Sequence, residues 1–201
     1  MSPKTACTVA AVLPFAVWMA MMALLPPSPG CYAARTVATF AALVPCFAYL
    51  VRRQPAILRR SRLASELAWG LAAGVAVFVV WVWPEQFEWY RRWFIFGEGG
   101  TVAVDESGTA MKVMRLLGSA FVISAAEELF FRRWLIRFAG FWWMVLLFAV
   151  EHDRWLVGAL AGIAYGWLAV RKGLVSAIVA HAVTNLVLGL YVLKTGAWQF
   201  W

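Results

Sequence analysis

The stretch Ser124-Ala-Ala-Glu-Glu-Leu-Phe-Phe-Arg-Arg133 sets two adjacent carboxylates and an arginine within a largely apolar run from Val113 to Leu135. An ionised side chain at membrane depth costs about 3 kcal/mol on insertion scales, so such groups face a cavity or a partner. Glu128 and Arg132 stand at i, i+4 with the acid first, the order that favours a helical ion pair. Glu127 is turned about 100° from Glu128 around the same helix and has no such local partner. A positioned carboxylate of this kind suits general-base work, provided other segments bring groups to meet it.

The chain has two histidines, His152 and His181, both in apolar segments, and Asn185 shares a helix face with His181. At a rise of about 1.5 Å per residue, Glu127 lies roughly 15 Å up its helix from Arg137, and His152 roughly 18 Å up from Gly140. From Gly173, His181 is roughly 12 Å and Asn185 roughly 18 Å along the last helix. These positions predict one polar layer near mid-membrane. A carboxylate, two imidazoles and an amide there make a catalytic or metal-binding set. One Glu and two His also match a three-ligand zinc site with an open position. Ser-x-x-Lys, GxSxG and HExxH patterns are all missing from the sequence. Glu151 and Asp153 flank His152, so a different carboxylate could orient that imidazole or compete for the role of Glu127. As helix neighbours they are expected to point elsewhere, with Arg154 available to pair with one of them.

The elements that must carry these residues are written in the composition. Of 201 residues, 64% are hydrophobic and 14% charged, against about 25% charged in a soluble domain, and mean hydropathy is +0.75. The fold expected is all-α, a polytopic transmembrane helix bundle of seven spans, with eight as the alternative. The whole of 1–201 reads as a single integral membrane domain, with 113–193 as its motif-bearing core. The net charge of +8 reports orientation in the bilayer rather than nucleic-acid binding. Cys7, Cys31 and Cys46 lack CxxC spacing and read as small core hydrophobes. The long first apolar stretch, without an A-x-A site, reads as a retained span rather than a signal peptide.

The spans expected are Cys7–Leu25, Tyr32–Val51, Leu67–Trp83, Val113–Arg137, Phe141–Glu151, Trp155–Val170 and Leu174–Leu193. Arg52, Arg53, Arg59, Arg60 and Arg62 fill the loop after the second span and mark it as cytoplasmic. That places the N-terminus inside and residues 84–112 outside. Within the outer segment, Phe87–Phe96 suits a short interfacial helix or an aromatic-anchored loop. Gly70 and Gly74, and Gly158, Gly162 and Gly166, form small-residue stripes for close helix approach.

The segments Glu127-Glu128-Leu-Phe-Phe-Arg132, Phe148-Ala-Val-Glu-His152 and His181-Ala-Val-Thr-Asn185 resemble, in order, the EExxxR, FxxxH and HxxxN motifs of the CPBP intramembrane proteases. That family includes the CAAX prenyl endopeptidases. Glu-His-Asp-Arg-Trp155 and the terminal Trp198-Gln-Phe-Trp201 further resemble a bacterial subgroup found alongside exosortase sorting systems. The resemblance implies that Glu127 and His152 activate water while His181 and Asn185 steady the oxyanion. Glu128, Arg132 and Phe148 would support them, and no metal is required. It also implies an intramembrane endopeptidase that hydrolyses a peptide bond near the C-terminus of a membrane-anchored protein, in the bacterial inner membrane, with exosortase-type partners. The competing readings are a metal-dependent membrane hydrolase and a non-enzymatic binding or immunity factor. A proton-coupled transporter is disfavoured by the lack of repeat symmetry.

Overall fold

The structure is a computed structural model describing residues 1–58, 60–96 and 108–200. Arg59 and Trp201, and residues 97–107 of the expected outer segment, lie outside the described residues. The described residues form helices and no strands. The long helices are α1 (Pro3–Leu24), α2 (Pro29–Arg53) and α3 (Arg60–Val82), followed by a short α4 (Glu88–Phe94). A composite helix, α5 (109–138), comes next, then α6 (Phe141–Val150), α7 (Trp155–Arg171) and α8 (Leu174–Thr195).

Local chemistry sets the boundaries. Ser2 and Ser28 cap the first two helices, accepting from the backbone N–H of Thr5 and Cys31 at 3.1 and 3.3 Å. Gly173, between α7 and α8, has φ +136°, where a side chain would be strained. A Cβ there would also meet the Glu66 carboxylate at 2.6 Å.

Among the described residues, α1–α3 and α5–α8 overlap the seven expected spans. Four of them (Pro3–Leu24, Pro29–Arg53, Arg60–Gln86 and Leu174–Thr195) are long and apolar enough to cross a bilayer. The fifth expected span differs. α6 has ten residues, about 15 Å, or half the hydrocarbon thickness. The chain then turns through 151–154 into α7, so His152 lies on that turn and not within a helix. Phe87–Phe96 contains the seven-residue α4. Its Tyr90 is buried and stacks on Phe94, whose ring meets Trp155 at 5.1 Å.

The glycine stripes bring backbones together. A Cβ at Gly74 of α3 would meet the Ala180 carbonyl of α8 at 2.6 Å. Gly158, Gly162 and Gly166 of α7 face Ala149, Phe148 and Met144 of α6. The polarity of the molecule is inverted relative to a soluble protein. Trp142, Trp143, Val170 and Phe40 are exposed, whereas Glu127, Glu128, Arg132 and His181 are buried.

Candidate active site

α5 carries the acidic pair, and it is not a regular α-helix. π-helical turns at Gly118–Ile123 and Leu129–Leu135 flank the α-helical Ser124–Glu128. Such turns insert a residue into the ladder and often occur at functional sites. Here one is fastened from outside. The Ser124 hydroxyl donates to the Ser119 carbonyl at 2.8 Å, and the Asn185 amide donates to both Ser119 O and Ser124 Oγ at 3.1 Å. Both hydrogens of the Asn185 NH2 group are therefore engaged within the protein.

Glu128, fully buried, has two partners. Arg132 lies 3.1 Å away in the expected i, i+4 pair, and His181 Nδ1 lies 2.9 Å from the same carboxylate oxygen. The Arg132 guanidinium sits 3.9 Å from the centre of the Phe148 ring, a cation–π contact. Phe148 in turn packs against both imidazoles, with centroids 4.6 Å from His152 and 5.8 Å from His181. Tyr165 stacks on His181 at 5.0 Å and donates to Thr184 at 2.7 Å.

Glu127 faces the second ring nitrogen of His181, Nε2, at 3.8 Å. Its Oε2 has no hydrogen-bond partner among the described residues. The expected pairing with His152 is looser: no ion pair within 4.0 Å joins these two side chains among the described residues. His152 Nδ1 instead lies 2.7 Å from the Phe148 carbonyl. A carbonyl only accepts, so Nδ1 carries the proton and Nε2 keeps its lone pair.

Glu127, His152, His181 and Asn185 all line one cavity of about 410 Å³. Glu151, Asp153 and Arg154 line it too, which corrects the expectation that the neighbours of His152 point elsewhere. The reason is the early end of α6: helical spacing stops at Val150, and a tight turn can aim consecutive side chains the same way. Arg154 pairs with Glu85 in the short turn just beyond α3, and with neither Glu151 nor Asp153. It also donates to the Gln199 carbonyl at 2.8 Å. Buried Glu151 Oε2 has no hydrogen-bond partner among the described residues. Sequence reasoning set Glu151 aside and missed Ser119, Ser124 and the Glu128–His181 bond. Only Glu151 left a signal, as a carboxylate beside the expected histidine. Among the described residues, no group of three His, Cys, Asp or Glu side chains is placed to hold a metal ion.

A bundle with an apolar surface and a buried set of acid, imidazole and amide groups defines an integral membrane protein with a polar intramembrane site. Residues 109–187 match the family model described as Rce1-like, type II CAAX prenyl endopeptidase. That segment contains every site residue named above except Glu85 and Gln199, and over it the chain is similar to the CAAX-type endopeptidases, which are peptide hydrolases. No curated protein and no solved structure matches the chain.

Proposed function

We propose that the protein is an intramembrane endopeptidase that cleaves a membrane-anchored protein with water activated by Glu127 and His152. The observation that carries this reading is the convergence of Glu127, His152, His181 and Asn185 on one cavity. The lone pair of His152 Nε2 accepts a hydrogen bond from a water, orienting it, while the Glu127 carboxylate takes the proton as the water oxygen attacks the scissile carbonyl. The tetrahedral oxyanion then collapses, the C–N bond breaks, and the proton passes from Glu127 to the leaving amine. His181 Nδ1 is committed to Glu128, so its Nε2 is the nitrogen that reaches the oxyanion. Donation from Nε2 requires the doubly protonated ring, whose charge Glu127 and Glu128 on either side would balance. Asn185, with its amide hydrogens engaged, serves in this reading as a clasp on the π-turn that carries Glu127.

The cavity lies toward the ends of the helices remote from the arginine-rich loop. Trp18 and Met22 near the end of α1, Tyr32 near the start of α2, and Phe200 beyond α8 all line it. With the arginine loop cytoplasmic, the site opens to the outer face of the inner membrane and takes substrates presented there.

The test compares membranes of cells carrying the native protein and its Glu127→Gln variant at equal abundance, by mass spectrometry of protein termini. At least one membrane-anchored protein should persist uncut in the variant, with its cleavage point toward the outer face. Identical termini in both membranes would refute the endopeptidase reading.

A further inference from the structure

A second cavity, of about 600 Å³, lies at the opposite end of the bundle between the start of α1, the end of α2 and the last turns of α5. Four cationic side chains line it: Lys4, Arg53, Arg133 and Arg137. No carboxylate lines it, and among the described residues none of the four is in an ion pair. Arg133 is held in place by donation to Gln54, whose own amide contacts Cys7 Sγ at 3.8 Å. Buried Arg133 Nε has no hydrogen-bond partner among the described residues. Four like charges around one cavity repel one another unless an anion is present. One wall is apolar and faces outward: Trp134 stacks on Phe138 at 5.0 Å, and Phe138 is 75% exposed.

We propose that this cavity binds the phosphodiester headgroup of an anionic phospholipid, with an acyl chain lying along Trp134 and Phe138. Charge selects a phosphate, and the wall selects its source. Pro3 begins α1 and Arg53 ends α2, so the cavity sits where two apolar spans leave the bilayer, at the depth of lipid headgroups. Basic pockets between helix ends on the cytoplasmic side are suited to such headgroups. A free phosphate ion would satisfy the cations but leave the aromatic wall uncovered. The proposal does not depend on the catalytic reading, because none of these residues lines the other cavity.

The experiment uses the purified full-length protein in a neutral detergent. Lipid binding is read by native mass spectrometry and thermal stability by tryptophan fluorescence, with phosphatidylglycerol, phosphatidylcholine or inorganic phosphate added. Phosphatidylglycerol should bind and raise Tm, while phosphatidylcholine and millimolar phosphate should do neither. Removing two cations in Arg133→Gln/Arg137→Gln should weaken phosphatidylglycerol binding roughly 30-fold, at about 1 kcal/mol per cation. Arg60→Gln/Arg62→Gln removes the same charge outside the cavity and should leave binding unchanged. If the first variant does not fold, Lys4→Gln/Arg53→Gln, at the exposed rim, replaces it with the same expectation. Equal binding of both lipids, or equal loss in the Arg60/Arg62 control, overturns the proposal by reducing the site to diffuse surface charge. Stabilisation by phosphate alone that matches phosphatidylglycerol also overturns it, by assigning the cavity to a soluble anion.

Discussion

At the scale of single residues, the two adjacent carboxylates have separate surroundings and so separate expected roles. Glu128 is tied to Arg132 and His181, while Glu127 Oε2 lies 3.8 Å from His181 Nε2 and has no hydrogen-bond partner among the described residues. Glu127→Gln should insert and fold normally yet lose activity by roughly 10²–10⁴-fold, the usual contribution of a positioned base. Glu128→Gln should retain more activity at equal abundance. Cleavage of a co-expressed membrane-anchored substrate, normalised to folded protein, checks both, and a reversed order would move the base to Glu128. Arg132→Ala strands a buried carboxylate and should cost about 3–5 kcal/mol, visible as less folded protein in membranes. Asn185 offers a sharper distinction. If its amide is a clasp on Ser119 and Ser124, Ser124→Ala should impair cleavage along with Asn185→Ala. A harmless Ser124→Ala beside an inactive Asn185→Ala would return Asn185 to the oxyanion.

Between elements, the close contact of α3 with α8 sets where His181 and Asn185 stand relative to α5. At Gly74 a Cβ would meet backbone, the Ala180 carbonyl at 2.6 Å, which cannot move without shifting the helix. At Gly166 it would meet side chains only, Met144 Cε at 2.7 Å and the edge of the Phe141 ring at 2.9 Å, and side chains can shift without moving a helix. Gly74→Ala should therefore destabilise by about 1–3 kcal/mol, the range for overpacking, and Gly166→Ala by less. Thermal unfolding in detergent orders the two, and an equal or opposite order would mean that α3 and α8 slide freely. The same contact explains a coupling to activity, since Gly74 O also accepts from Thr184 at 2.9 Å, one residue before Asn185.

For the whole molecule, orientation decides which substrates reach the site. The basic cavity and the polar cavity lie at opposite ends of one bundle, so fixing the side of either fixes the other. With Cys7, Cys31 and Cys46 replaced, single cysteines at positions 62 and 92 report the two faces. An impermeant thiol reagent should label position 92 in intact cells and position 62 only after lysis. The opposite pattern would invert the topology and open the polar cavity to the cytoplasm.

Much of this architecture was legible in the sequence, because bilayer thickness leaves few choices. Apolar runs near 20 residues must become helices, and the four long spans and the all-α class follow from that. Spacing alone also placed Glu128 against Arg132, since i, i+4 geometry is local. Helical rise could bring four polar residues to similar depth but could not rotate their helices. Whether Glu127 meets His152 or His181 depends on how α5, α6 and α8 pack, and packing put His181 nearer. The shortness of α6 was visible, yet its consequence was not: ending the helix at Val150 turns Glu151 and Asp153 into the cavity. The Asn185 clasp on the first π-turn of α5 consists of side-chain bonds between residues more than sixty positions apart. No local propensity encodes such bonds, and only the tertiary structure makes them.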